Sequence, residues 1–322
     1  MQLAAPTRKP SALPDEHNLV SMDQRDFKLF RELIHQQTGI WLRDGKQVML
    51  ASRLARRLRH HHLSSFSNYY DLVQNIQDNG AEMRNLINCV TTNKTSFFRE
   101  SHHFDFLRKT VVPHAQRSAS KGFPRRIRVW SAACSTGEEP FSIAISLLEA
   151  LSQSASTSSV PSLSSRSHGL PNAAQNPGGW EIEVLASDID TEVLATASRA
   201  VYSEESVEDI APSMQANYFL RGKGDMQGRV RLKKEVLRHV QFKRINLMDA
   251  LWPVDGLYDA IFFRNALIYF NQDTQDVFLR KMLRSLKPNG YLFLGHSEHI
   301  PWLHDLVAPL SHTVYQLRSH GQ

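Results

Sequence analysis

The stretch VWSAACSTGEEPFS, Val129 to Ser142, runs from strand-forming residues through a turn of small residues into a helix start, where two glutamates, Glu138 and Glu139, stand side by side. At such a strand-to-helix turn a dinucleotide-binding fold lays a pyrophosphate against the helix N-terminus. Two carboxylates repel a pyrophosphate, and the stretch has no G-x-G-x-x-G. A ligand that carries its own cation suits the pair, and S-adenosylmethionine carries an ammonium and a sulfonium. A plainer reading stays open beside this one. An acid is favourable near the partial positive charge of a helix N-terminus, and Ser135 with Glu138, or Thr136 with Glu139, fits a capping box.

Downstream, EVLASDIDTEVLATA ends an apolar run on Asp188, where an acid at the carboxyl end of a strand can accept both ribose hydroxyls of a nucleoside. Asp190 reads as the cap of the following helix. Taken with Glu138 and Glu139, Asp188 favours S-adenosylmethionine over a nicotinamide dinucleotide. The cysteines, Cys89 and Cys134, are too few for a disulfide framework or a metal site and read as plain buried thiols.

The elements that must hold these groups are legible as alternation. From Met22 to Val90 the apolar spacing is helical throughout, which predicts a small all-helical domain over 21–92 after a polar tail, 1–20, expected to be disordered. From residue 93 to 322 strand-like runs (RIRVWSA, WEIEVLASD, YDAIFFRN, GYLFLGH) alternate with helical ones, which predicts an α/β, Rossmann-like domain with a mainly parallel sheet. Two stretches interrupt the rhythm. Residues 152–178 are Ser-, Pro-, Gly- and Asn-rich and read as a disordered insertion, and about 216–245 reads as a small inserted antiparallel β-subdomain.

The net charge of +6 leaves an acidic partner open. The densest basic run, SRLARRLRHHH, reads as an amphipathic helix with Val48, Leu50, Leu54 and Leu58 on one face and Arg53, Arg56, Arg57 and Arg59 on the other. That face is either solvated or a docking surface. Its adjacent histidines do not converge on one point, and no metal site is expected. With no secretory leader and no apolar run of the roughly 18 residues a membrane span needs, a cytoplasmic protein without membrane insertion is expected.

TTNKTSFFRE (91–100), WSAACSTGEEPFSIAI (130–145), ASDIDTEVL (186–194), INLM (245–248), FFRNALIYF (262–270) and GYLFLGHSE (290–298) stand in the order and spacing of the CheR family. These are the chemotaxis receptor glutamate methyltransferases, and the resemblance spans roughly residues 22 to 318. It implies S-adenosylmethionine-dependent methyl esterification of glutamate side chains on the cytoplasmic domains of chemoreceptors, with S-adenosylhomocysteine as product. By position it implies cofactor contacts at Asn93, Thr95, Arg99 and Glu139, with Asp188 at the ribose and Asn246 and Leu247 near the adenine. Arg264 and Asn265 fall beside the methionine portion, and Tyr269 lines the methyl-transfer pocket, with Arg99 and Tyr269 as catalytic candidates. In some members the β-subdomain captures a receptor's C-terminal peptide as an added strand, and the compact turn Gly222 to Gly228 resembles theirs. A monomer is expected.

Two rivals differ in class. A nucleic-acid methyltransferase would use the basic helix on phosphates, but the chain lacks the Asn/Asp-Pro-Pro-Tyr/Phe motif. A non-catalytic ligand-sensing scaffold of the same fold would not need Arg99, Asp188 and Tyr269 intact.

Overall fold

A computed structural model describes residues 21–75, 77, 78, 80–157 and 177–318. The polar tail, 1–20, and most of the Ser-rich insertion, 152–178, lie outside these residues. The chain divides into two compact units, one of residues up to Leu33 with Arg43–Val90 and one of Ile34–Leu42 with Thr91 onward. The border is therefore not a single cut near residue 92. Ile40 bridges Phe270, and the Trp41 amide donates to the Tyr269 carbonyl at 2.7 Å, so this segment serves the second unit. Helical periodicity alone does not reveal which core the end of a helix joins.

The first unit holds α1 (Gln24–Thr38, less its last turn), α2 (Gln47–His60), α3 (Phe66–Asn75) and α4 (Ala81–Val90). Leu50, Leu54 and Leu58 recur every four residues and are buried, whereas Val48, expected on the same face, is 80% exposed. Phe30 stacks on Tyr69 at 5.9 Å and meets Phe66 edge-on, closing the core between helices.

The second unit begins with α5 (His102–Phe106), which continues through a π turn at Leu107–Val111 into α6 (Val112–Ser120). Then follow β1 (Arg126–Ala132), α7 (Glu138–Thr157), β2 (Glu181–Asp188), α8 (Thr191–Arg199) and the short strand β3 (Val201–Ser203). Next come α9 (Pro212–Tyr218), β4 (Phe219–Arg221), β5 (Arg229–Leu232), α10 (Lys234–Leu237) and β6 (Val240–Arg244). The chain closes with β7 (Tyr258–Phe263), α11 (Gln272–Leu283), β8 (Leu286–Leu294), β9 (Val307–Ser311) and β10 (Val314–Leu317).

The main sheet has the order β6-β2-β1-β7-β8-β10-β9. Its first five strands are parallel, and β10 runs antiparallel to both β8 and β9. Being central, β1 is buried on both faces: Ile127 and Val129 join Phe141 and Ile145 on one side, Trp130 and Ala132 join Phe278 and Leu279 on the other. This is the expected Rossmann-like α/β architecture. The strand order reverses between β1 and β7, so the ligand crevice of such a sheet opens at their carboxyl ends.

Two boundaries differ from expectation. The antiparallel subdomain is a sheet of order β3-β5-β4, starting at Val201, whereas Val240–Arg244 pairs with β2 in the main sheet. A three-residue strand carries no readable period, and a half-exposed edge strand looks like part of the excursion. Helix α7 also runs past Ser152 to Thr157. The Ser154 hydroxyl is partnered there by the Ala150 carbonyl at 3.0 Å, one turn back along the helix.

Candidate active site at the strand carboxyl ends

The turn after β1 is held in a conformation most residues avoid. Ala133, Ser135 and Gly137 all have positive φ, and a Cβ on Gly137 would come 2.8 Å from Ala197 Cβ and 2.9 Å from the Tyr202 hydroxyl. The turn thereby sends Glu138 and Glu139 to different places. Glu138 is buried, accepts from the Thr136 hydroxyl at 2.6 Å, and has its carboxyl pushed up by burial. Glu139 accepts from Ser131 at 2.7 Å and from Arg264 at 3.0 Å. Neither glutamate closes a capping box, because Ser135 Oγ turns to the Asn93 carbonyl at 3.1 Å and Thr136 bonds Glu138 two residues on. Asp190, by contrast, caps α8 as expected, accepting from the amides of Glu192 and Val193.

Around Arg264, immediately after β7, a polar cluster gathers. Its guanidinium donates to Glu139 and to the Arg99 carbonyl, lies 3.2 Å from Glu100, and stands over the Phe104 ring. Burial pushes the Glu139 carboxyl up, with Arg264 and Ser131 opposing. Burial acts the same way on Glu100, but there the Arg264 charge and the bonds from Asn265 and the His296 amide win, and its carboxyl falls below the usual range. Arg264 Nε is buried without a hydrogen-bond partner among the described residues. Beside it, Asn265 holds a positive φ of 58° and donates from Nδ2 to Glu100 at 3.2 Å.

Glu298 holds this loop from behind. Its carboxylate, 3% exposed, accepts the amides of Asn265, Leu267 and Gly295 at 2.9, 2.8 and 2.6 Å. Burial pushes it up in spite of these donors. Neither Glu100 nor Glu298 was assigned a role from sequence, although both end quoted motifs. The available signal was an acid closely following an apolar or aromatic run.

A second group forms at the end of β2. Asp188 accepts the amides of Ser135 at 2.9 Å and Asp190 at 3.0 Å, and burial pushes its pKa to about 6. Asn93 reaches the same place, donating to Asp190 at 2.8 Å while its carbonyl accepts from Ser135. The structure thus joins Asn93 to Asp188 through Ser135, and Arg99, Glu139 and Asn265 to Arg264 and Glu100. Thr95 is half-buried in the loop between Asn93 and the turn that carries Arg99. The Arg99 side chain donates to the Lys94 carbonyl at 2.9 Å, with Phe98 and Glu100 at positive φ on either side.

The remaining candidates lie in adjoining loops. After β6, Ile245 donates to the Asp188 carbonyl, while Asn246 donates to the Gln37 carbonyl at 2.7 Å and accepts from the Met248 amide. Leu247 packs on the cluster containing Trp130 and Trp252. Tyr269 closes a short 3-10 turn, Leu267–Tyr269, and is half-buried. Cys134 is fully buried, its thiol pushed up by burial, in keeping with an inert role.

The four arginines of α2 do not project together, which corrects the expected single basic face. Arg57 bonds Glu82 through two nitrogens and Arg53 donates to the Val90 carbonyl, both toward α4, while Arg56 and Arg59 are exposed. An arginine can serve a neighbouring helix end from a position that helical spacing alone assigns to solvent.

Comparison with known proteins divides the chain between residues 91 and 93, with the segment 34–42 counted in the helical part. The family model described as CheR methyltransferase, SAM binding domain, matches residues 93–163 and 165–316, and that described as CheR methyltransferase, all-alpha domain, matches 25–91. A chemotaxis protein methyltransferase of Escherichia coli strain K12 is 38% identical over 317 residues, 98% of this chain and 99% of the relative. Chemotaxis protein methyltransferase 2 of Pseudomonas aeruginosa is 38% identical over 294 residues, 91% and 92% of the two chains. A chemotaxis protein methyltransferase of Borreliella burgdorferi is 30% identical over 269 residues, 84% and 86% of the two.

Proposed function

This chain belongs to the CheR methyltransferase family, and on that premise we propose that it methylates glutamate side chains on the cytoplasmic domains of chemoreceptors, using S-adenosylmethionine. The observation that carries the reading is the placement of Glu139, Asp188 and Arg264 at the carboxyl ends of β1, β2 and β7, around the switch point of the sheet.

These residues fit the cofactor. A carboxylate has about four acceptor positions. Asp188 accepts the amides of Ser135 and Asp190, with the Ile189 amide also toward it, and keeps acceptor capacity for a ribose hydroxyl. Glu139 and Glu100 both pair with Arg264, which offers the cofactor's ammonium carboxylates to approach. Asn93, Thr95, Asn246, Leu247 and Asn265 would complete the cradle. When bound, S-adenosylmethionine supplies a methyl group already activated by its sulfonium.

The residues of the chain then have little proton chemistry to do, because a glutamate carboxylate is ionised at neutral pH. Their work is to position the acceptor and exclude water. Arg99, on the turn between Lys94 and Glu100, would hold one carboxylate oxygen in its planar fork and leave the other free to react. Tyr269 would line the path of the methyl group, with its ring beside the cation.

Partner capture follows from the subdomain. A cavity of about 330 Å³ lined by Val207, Pro212, Gln215, Phe219, Arg221 and Val230 lies beside β4, an edge strand of the small sheet. It suits an apolar side chain of a receptor's C-terminal peptide added as a strand. The protein would act as a cytoplasmic monomer. The test is incubation with labelled S-adenosylmethionine and a receptor cytoplasmic fragment, with duplex DNA in parallel. Base-labile label on the receptor marks a methyl ester; label on DNA, or none on either, rejects the reading.

A further inference from the structure

We infer that Glu298 is a positioning residue for methyl transfer: its carboxylate fixes the loop after β7, so that Arg264, Asn265 and Tyr269 stand where cofactor and acceptor need them. This role rests on the methylation reading and adds a residue that touches neither ligand. Two neighbouring strands bring its parts together. β7 and β8 are parallel with Phe263 opposite Leu294, so Arg264 and Gly295 leave the sheet side by side. The chain then turns at once, the Glu298 amide donating to the Gly295 carbonyl at 2.9 Å, and the Glu298 side chain reaches back to the next loop. There Oε2 accepts the amides of Asn265 and Gly295, and Oε1 accepts that of Leu267. The Ile268 amide also serves the carboxylate.

Two further observations show a loop that must be held. Asn265 keeps a φ of 58°, a left-handed conformation that a residue with a Cβ seldom adopts unless its surroundings impose it. Gly295 lies so close that a Cβ there would meet the Asn265 amide nitrogen at 2.7 Å and press on Asn265 Nδ2. The far end of the loop is tied separately, the Trp41 amide donating to the Tyr269 carbonyl at 2.7 Å. Glu298 is therefore what holds its middle.

Among the described residues the hydrogen-bond partners of this buried carboxylate are backbone amides. A buried carboxylate with no cation beside it is a poor way to fill a core, since an apolar side chain of similar size has no charge to desolvate. It is a good way to fix direction. An ionised carboxylate only accepts, which fits converging N–H donors on both of its oxygens, whereas the NH2 of a glutamine would face one set of them. The loop it aligns carries Arg264 at one end and Tyr269 at the other, so a small shift there changes how donor and acceptor meet.

The test places Glu298→Gln and Gly295→Ala in the full chain. The first keeps size and removes acceptors from one side of the loop; the second, at a glycine without positive φ, crowds the same loop from the other. Both should lower kcat for a receptor fragment about tenfold or more and weaken S-adenosylhomocysteine binding by calorimetry. Receptor KM should stay within about twofold of wild type, because the loop orients groups and does not dock the receptor. Arg57→Ala, with urea unfolding on all variants, shows what lost stability alone does to these rates. Wild-type kcat and affinity in folded Glu298→Gln, or a fall in kcat no larger than that of Arg57→Ala, would overturn the inference. Should the wild type leave the receptor unlabelled, the methylation reading fails by itself, and S-adenosylhomocysteine affinity decides on Glu298: weakened in both loop variants supports its role, unchanged in both overturns it.

Discussion

Two arginines, Arg57, half-buried in the helical unit, and Arg264, buried in the α/β unit, each face carboxylates, and their surroundings differ in how completely they are satisfied. Glu82, 2% exposed, receives Arg57, Tyr69 and Asn85 and has His61 at 3.1 Å. Burial would raise Glu82, but these hydrogen bonds outweigh it and hold its pKa at about 2. Around Arg264 the sum is incomplete: Arg264 Nε and His103 Nδ1 lack hydrogen bonds among the described residues, Glu100 Oε2 has only the Arg264 guanidinium at 3.2 Å, and burial keeps Glu139 raised. A closed network tightens a fold, while one with spare donors and acceptors at strand ends is ready for a ligand.

The comparison breaks most readily by removing each arginine in turn. Arg264→Ala should cut methylation by on the order of a hundredfold or more, through lost orientation of the cofactor and its loop. Arg57→Ala should leave turnover per folded molecule near wild type but destabilise by about 3–5 kcal/mol, because Glu82 is stranded as a buried charge. Urea unfolding, cofactor calorimetry and initial rates on both variants check this. A stability loss without a catalytic one for Arg264→Ala would make the two networks alike.

Arg99 sharpens the contrast because its side chain touches the rim rather than the interior. Arg99→Ala should lower receptor methylation about a hundredfold, a larger loss than any in cofactor affinity, since its main proposed partner is the acceptor carboxylate. Arg99→Lys should rescue poorly, as a point charge cannot reproduce the fork. Near wild-type rates in both variants would reduce Arg99 to a brace on the Lys94 carbonyl.

What the sequence disclosed about these networks is uneven for a physical reason. Strands such as RIRVWSA were readable to the residue because a central parallel strand is apolar on both faces, and Asp190 because capping is local. Asp188 was readable because strand ends carry ligands in this class of sheet. The partners of Arg57 and Arg264 were not, because Glu82 lies 25 residues from one, and Glu139 lies 125 from the other. Glu100 and Glu298 were hidden in the same way: a buried acid looks like an exposed one until its donors are assembled.

Acid and base should separate the networks by sign. Glu82, lowered from 4.5 to about 2, contributes stability that is full above its unfolded value and lost as pH falls toward 2. Asp188, raised from 3.8 to about 6, acts oppositely: its contribution to stability declines as pH rises through that window. The ligand reverses the balance, since ribose hydroxyls need an ionised acceptor. Cofactor affinity should fall up to about tenfold per unit as pH drops below 6. Calorimetry across pH should show the break in wild type and not in Asp188→Asn.

The smallest effect belongs to α2, where Arg53 and Arg57 are drawn into the helical unit while Arg56, 4.0 Å from Cys89 Sγ, and Arg59 stay exposed. Arg53 and Arg57 reach Val90 and Glu82, so charge reversal there would test the fold rather than docking. Arg56 and Arg59 are exposed and are the better probes of an acidic receptor surface. Exposed charges act over roughly a Debye length and govern encounter more than residence. Arg56→Glu with Arg59→Glu should therefore lower receptor methylation a few-fold at low salt, with the difference shrinking toward physiological ionic strength. Melting temperature and cofactor affinity should hold. If methylation by the double variant matches wild type at every salt concentration, the exposed arginines are only a solvated face, and docking must rest on another surface.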